Sequence, residues 1–341
     1  MEQMPEGKTP KRMKSGAGEA RPREIPLERF QRNLLEWFDQ HKRDLPWRCN
    51  RDPYQVWLSE IMLQQTRVAA VLEHYARFVR RFPTIKTLAA ARESSVLATW
   101  SGLGYYRRAR RLHAAARKIV RERAGQFPTT AADLTTLPGI GRYTAAAIAS
   151  IAFNEPVAAV DGNVERVLQR VMGKRIGGER LWESAQQLLS NKRPGDFNEA
   201  LMELGATLCL PRQPRCLLCP VSDFCTTRGA LRDDRKVARQ QKRDIQYALH
   251  CRNGSVFLVQ REETASLMPG MWELPEIPAT TGSTQPFLTL RHSITVTDYT
   301  VQVVDCELPE RVDGRWIDRS RLECLPLTGL ARKILRAAKV I

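Results

Sequence analysis

No stretch of the 341 residues approaches the roughly 20 consecutive apolar positions that cross a bilayer, so a membrane-spanning helix is not expected. The first 25 residues, MEQMPEGKTPKRMKSGAGEARPREI, lack the apolar run of a secretory signal, which predicts an intracellular protein with reduced thiols. Eight cysteines in a chain this long exclude a mini-protein stapled by disulfides. No internal repeat is evident. The last third also lacks any charge excess: residues 245–341 carry 11 Lys+Arg and 11 Asp+Glu.

The whole formal charge of +17 therefore lies in residues 1–244. A basic N-terminal part joined to a neutral C-terminal part argues for two units, the first of which meets a polyanion such as nucleic acid. A merely solubilising surface charge is the bland alternative. The period of apolar residues supports the same division. From Leu27 to about Gly205 the pattern is helical. One helix is expected over 56–82, and others over 94–100, 105–123, 131–136, 142–153, 163–172, 179–190 and 196–207. Residues 1–25 read as a disordered tail and 226–244 as a charged interdomain linker. Beyond the linker, 247–260, 287–297 and 299–306 are rich in Val, Ile, Leu and Thr and read as strands, with a closing helix over 328–340.

Four cysteines stand together. Cys209, Cys216, Cys219 and Cys225 form a C-x6-C-x2-C-x5-C set, whereas Cys49, Cys251, Cys306 and Cys324 are scattered. Four thiols within 17 residues imply a metal. Zinc sites usually pair two C-x2-C knuckles and only one is present, so an iron–sulfur cluster is favoured over zinc. Arg212 and Arg215 inside this loop would make it a basic finger. A second motif is Leu137-Pro138-Gly139-Ile140-Gly141, set between two helices, where Gly139 and Gly141 would let the backbone approach a phosphate at a helix N-terminus. Any tight helix–helix connection could use the same residues. The segment 105–123 has eight Lys+Arg and one Glu, and reads equally as a phosphate-contacting or a solvated face.

The hairpin, the downstream Val160-Asp161-Gly162-Asn163-Val164 and the four-Cys loop, in that order, resemble the endonuclease III (helix-hairpin-helix-GPD) superfamily of DNA glycosylases. Asp44-Leu45-Pro46-Trp47-Arg48, Ser59-Glu60-Ile61-Met62-Leu63-Gln64-Gln65-Thr66 and Gly102-Leu103-Gly104-Tyr105-Tyr106 are similar to the MutY-type adenine glycosylases. The resemblance is close over roughly residues 27–275. It implies a mainly α N-terminal helix-hairpin-helix glycosylase fold with a 4Fe-4S loop, plus a C-terminal α+β Nudix-like domain. The expected division is 1–25 tail, 26–225 glycosylase domain with the iron–sulfur loop at 209–225, 226–244 linker and 245–341 recognition domain.

The resemblance also implies the chemistry: removal of adenine mispaired with 8-oxoguanine or guanine. Glu60 and Asp161 are then the catalytic carboxylates. Glu60, among Trp57, Leu58, Ile61 and Met62, is expected to be desolvated and held neutral as an acid. Asp161 begins a helix, whose amides and dipole favour a charged carboxylate. Protonating the imidazole-ring nitrogen of adenine eases its departure, while Asp161 stabilises the sugar cation and bonds to it transiently. Tyr143 stands where lyase members carry a Schiff-base lysine, so a monofunctional enzyme is expected. Tyr143 and Asn163 would assist Asp161, Arg48 would line the adenine pocket, and Gln65 and Tyr105 would wedge into the duplex so that the base can be flipped out.

In the C-terminal unit, Leu267–Pro275 resembles the start of the Nudix-like domain with which the family recognises 8-oxoguanine. The glutamate cluster of Nudix hydrolases is absent. His292-Ser293-Ile294-Thr295-Val296 stands where the family has Phe-Ser-His after a His-Thr pair, so Thr295 would replace the serine hydroxyl. The expected partner is double-stranded DNA with an adenine mispair, bound by a monomer in the bacterial cytoplasm (nucleoid). The rivals are a thymine glycosylase acting on T·G mismatches and a non-catalytic lesion-binding protein.

Overall fold

The computed structural model describes residues 25–229, 231, 241–265, 267–278, 285–294, 297–306 and 312–341. Residues 1–24 of the expected tail, and Thr295, lie outside the described residues. Apolar residues at helical spacing set the N-terminal elements. Helix α1 (Leu27–His41) buries Phe30, Leu34, Leu35 and Phe38 on one face. Helix α2 (Pro53–Leu63) has no exposed face: eight of its 11 residues, including Trp57, Leu58, Glu60 and Met62, are buried, which marks it as the central helix. Asp52 caps it by accepting the Gln55 amide.

A single helix over 56–82 is not formed. Helix α2 ends at Leu63, Gln65 takes a left-handed conformation (φ 56°), and α3 (Val68–Arg81) begins afterwards. Helices α4 (Ile85–Ala90), α5 (Glu93–Trp100), α6 (Arg107–Arg123), α7 (Ala131–Leu134) and α8 (Arg142–Phe153) follow. In α6 the apolar face of Ala109, Leu112, Ala115, Ala116 and Ile119 is buried, so most of its arginines project outward. Helices α2–α8 enclose one core, with Trp57, Phe78 and Trp100 fully buried.

The chain then returns to α1. Helices α9 (Gly162–Met172), α10 (Gly178–Leu188) and α11 (Pro194–Thr207) pack with α1 around a second core of Phe30, Leu34, Val167, Phe197 and Leu204, to which Cys209 and Cys219 are packed. Each fully buried Phe or Leu contributes roughly 1.5–3 kcal/mol. The first subdomain is thus inserted between α1 and α9, and a cleft is left between the two.

The C-terminal unit is α+β. Strand β1 (Gln241–Ala248) begins four residues inside the stretch read as linker, because its full length pairs in parallel with a later strand. The segment expected to run to Gln260 is interrupted by a turn at Asn253–Gly254, giving β2 (Cys251–Arg252) and β3 (Ser255–Gln260). Next come β4 (Trp272–Glu273), β5 (Glu276–Ile277), β6 (Leu288–Ile294), β7 (Thr297–Val304) and β8 (Arg315–Asp318), then α12 (Gly329–Ala337). One sheet has the order β5-β1-β7-β6, and a second joins β2, β3 and β4 with β8 paired to β3. Between them lie Tyr247, Leu258, Val301 and Val303, closed by Leu330, Ile334 and Leu335 of α12.

The two units touch through specific groups. The Leu327 carbonyl accepts from Tyr106 Oη (2.8 Å) and Ser101 Oγ (3.1 Å), and Arg332 Nε donates to Ser101 Oγ at 2.9 Å. Met271, fully buried, belongs to the core of the first subdomain.

Candidate active site

Glu60 comes from α2 and Tyr143 from the first turn of α8. The Tyr143 hydroxyl donates to Glu60 Oε2 at 2.6 Å and also lies 3.2 Å from Met202 Sδ. Burial pushes the Glu60 pKa up to about 7, against the lowering effect of the tyrosine hydrogen bond, and the Asp161 charge adds to the rise. The Tyr143 phenol is raised well above its ordinary value by burial and by the charges of Glu60 and Asp161. It is therefore a donor, never a phenolate, near neutral pH.

Asp161 is the N-cap of α9. Its Oδ1 accepts from the backbone amides of Asn163 (2.9 Å) and Val164 (2.7 Å), and its Oδ2 accepts from Asn163 Nδ2 at 2.8 Å. The Asn163 amide is oriented in turn by Arg166, whose Nη2 donates to Asn163 Oδ1 at 2.8 Å and to the Gly205 carbonyl at 2.7 Å. Arg166 Nε donates to the carbonyl of Cys209, so a chain of hydrogen bonds runs from the four-Cys loop to Asp161. Gly205 is required by contact: a Cβ there would lie 2.6 Å from the Asn163 Cβ.

Both carboxylates line one cleft of about 1900 Å³, together with Arg48, Gln65, Tyr105, Gly139, Tyr143 and Asn163. Gln65 and Tyr105 are exposed at its rim, and both are left-handed (φ 56° and 48°). Arg48 lines the cleft, but its guanidinium is already engaged. It donates to Glu199 Oε1 (2.9 Å), to Glu203 Oε2 (3.0 Å) and to the Arg43 carbonyl (3.2 Å). Burial works to raise Glu203, but the hydrogen bond from Arg43 and the Arg48 charge outweigh it and hold this carboxylate below its usual range. Arg48 thus braces one wall of the cleft through Glu199 and Glu203.

In the hairpin, Gly139 adopts φ 80°, and a Cβ there would come within 2.6 Å of the Arg111 side chain. Gly141, at the N-cap of α8, meets nothing within 4 Å, so the backbone here is open to an approaching group. Cys209, Cys216, Cys219 and Cys225 line a second, small cavity of about 30 Å³. Arg170 Nη1 donates to Cys209 Sγ (3.2 Å) and the Arg228 amide to Cys225 Sγ (3.4 Å). Among the described residues no group of three or more His, Cys, Asp or Glu is placed to hold a metal ion. The segment 226–229, read as linker, instead folds back on α9, where Thr226 and Thr227 donate to the carbonyls of Val171 and Arg170. In the C-terminal unit His292 and Ser293 reach the same large cleft.

Three residues escaped the sequence reading. Arg166 stands three positions after Asn163, a helical neighbour spacing that could have marked it. Gly205 sits inside an otherwise regular helix, which is itself a signal of close approach. Arg108, which lines the same cleft, was hidden within a run of arginines.

Known proteins resemble the chain mainly over its helical part. Residues 58–192 match the model of the HhH-GPD superfamily base excision DNA repair protein. An adenine DNA glycosylase of Schizosaccharomyces pombe is 32% identical over 324 residues, covering 74% of this chain and 70% of that protein. The rat adenine DNA glycosylase is 50% identical over 234 residues, covering 64% of this chain and 45% of its own length. The chain thus spans about half the length of the mammalian relatives it matches. A thermostable thymine-DNA glycosylase is 31% identical with a TM-score of 0.56, covering 59% of this chain and 96% of that one. Endonuclease III in a non-covalent DNA complex shares the fold (21% identity, TM-score 0.52, 60% of this chain and 97% of that one). Beyond these matched helices the chain carries its α+β unit. The chain belongs to the MutY-type adenine DNA glycosylase family of the HhH-GPD superfamily.

Proposed function

We propose that the protein is a monofunctional base-excision repair enzyme that hydrolyses the N-glycosidic bond of adenine mispaired with 8-oxoguanine or guanine. The observation that carries this reading is a pair of carboxyl groups in unlike surroundings on one cleft. Glu60 is buried, and Asp161 is served by three N–H donors. A neutral Glu60 gives its proton to an imidazole-ring nitrogen of the flipped adenine. Tyr143 donates to Oε2, which leaves Oε1 as the oxygen to carry that proton. As the bond between the sugar and the base breaks, its electron pair leaves with the protonated adenine. Asp161 stabilises the cationic sugar and bonds to its anomeric carbon. Water then adds there, Glu60 takes a proton back, and Asp161 is released.

Tyrosine has no amine, so position 143 offers no Schiff base and the product is an intact abasic site. Gln65 and Tyr105 are the wedge residues at the cleft rim. The hairpin at Gly139 and Gly141 holds a backbone phosphate of the duplex. Arg48 acts in the adenine pocket as a brace.

Cys209, Cys216, Cys219 and Cys225 suit a 4Fe-4S cluster. All four border one small cavity, and N–H groups of Arg170 and Arg228 donate to two of the sulfurs, as suits thiolate ligands. When bound, such a group would supply cohesion to the loop that carries Arg212 and Arg215. The C-terminal unit is read as a Nudix-like recognition domain facing the opposite base, with His292 and Ser293 its described residues at the cleft.

The likeness to a thymine-DNA glycosylase over 59% of the chain favours one second reading, excision of thymine from T·G. The described residues after 240 form an additional α+β unit and weigh against it. Chromatography of the free base released from duplexes pairing A or T with G or 8-oxoguanine decides. Adenine alone is expected, and thymine release would establish the second reading.

A further inference from the structure

We propose that Arg108 is a positioning residue for base excision: it locks the two rim loops into one unit, so that Gln65 and Tyr105 enter the duplex together. The inference rests on the wedge reading of Gln65 and Tyr105 given above. One terminal nitrogen, Nη1, donates to the carbonyls that end α2: Ile61 (2.8 Å), Met62 (3.0 Å) and Gln64. The other, Nη2, spans both loops. It donates to Thr66 Oγ1 at 3.1 Å on one side and to the carbonyls of Leu103 and Gly104, each at 3.3 Å, on the other.

These acceptors flank the two wedge residues closely in sequence. Gln65 lies between Gln64 and Thr66, and Tyr105 directly follows Gly104. Both wedge residues hold a left-handed backbone, which a non-glycine residue keeps only when its surroundings enforce it. The guanidinium also lies 5.5 Å from the Tyr105 ring centre and 5.4 Å from that of Trp100. Burial draws the Arg108 pKa down to about 10, so it stays a cation at neutral pH. Its neighbours Arg107 and Arg111 are exposed and cannot substitute. Lysine cannot either, because one compact ammonium cannot serve the end of α2, as Nη1 does, while also spanning the two loops, as Nη2 does.

The test is a cycle of single-turnover base release from an 8-oxoguanine·A duplex, with 2-aminopurine fluorescence beside the target base reporting flipping. R108K is expected to slow release and flipping at least tenfold in the otherwise native chain. In the Q65A/Y105A chain, where no wedge remains to be positioned, R108K is expected to change them less than twofold. An equal slowing in both chains would overturn the proposal while leaving the wedge reading intact. If Q65A/Y105A itself releases base within twofold of the native rate, the wedge reading fails and takes the proposal with it. A measurement that leaves Arg108 in place guards against an unfolded variant. Locked loops make Q65A and Y105A non-additive, so the double variant should lose less than the product of the single losses. Strict multiplication of the two losses would refute the lock.

Discussion

The Tyr143 hydroxyl donates to Glu60 Oε2 at 2.6 Å, opposing a burial that lifts Glu60 to about 7. Removing the donor therefore leaves burial less opposed. In Tyr143→Phe the Glu60 pKa should rise further, and the alkaline limb of the pH–rate profile should move to higher pH by about one unit. Profiles of the native and variant chains check this. A limb that moves to lower pH would contradict it.

The same shift has a consequence for stability. Glu60 holds a proton in the folded state up to about pH 7, whereas an unfolded glutamate loses it near its ordinary value of 4.5. Folding thus binds a proton between these limits, and stability falls as pH rises through the window, by up to about 3 kcal/mol for a shift of this size. Glu60→Gln carries no such penalty. Its Tm should exceed that of the native chain at pH 8, with the gap closing towards pH 4. Calorimetry at the two pH values measures it, and parallel Tm curves would show that folding does not raise the Glu60 pKa.

With tyrosine at position 143, borohydride should trap no covalent complex with DNA, and product strands should stay whole until heated with base. Efficient trapping would reveal a lysine nucleophile elsewhere and end the monofunctional description.

The four-Cys loop predicts a yellow-brown protein, since thiolate-to-iron charge transfer absorbs visible light and zinc does not. Cys219→Ser should bleach the preparation and loosen the loop from α9. Metal analysis of a colourless, active preparation that finds zinc alone would refute the cluster.

The helices were legible because their apolar residues recur at helical spacing, as in Phe30, Leu34 and Phe38, and because glycine or proline marks many of their ends. The break between α2 and α3 was not, since no glycine or proline marks Gln64–Arg67. There the carbonyls at the end of α2 accept from the Arg108 guanidinium, 44 to 47 positions away in sequence. The start of β1 at Gln241 was missed for a related reason. Residues 241–244 are exposed and polar, and their strand state comes from pairing with Thr297–Thr300. Among site residues, Glu60, Tyr143, Asp161 and Asn163 were readable from their motifs, and the structure brings them to one cleft. Arg48 was readable only as a lining residue, because its partners Glu199 and Glu203 sit on a distant helix. Short strands such as β4 and β5 carry too few residues to show a period.

The central claim is that a buried, neutral Glu60 delivers the proton that releases adenine. Single-turnover release from an 8-oxoguanine·A duplex, followed from pH 5 to pH 9 with native chain and Glu60→Gln, tests it most directly. The account predicts a native rate that falls tenfold per pH unit above about pH 7, and a loss of at least a thousandfold in the variant with duplex binding preserved. A native rate flat to pH 9, or a variant within tenfold of native, would contradict it.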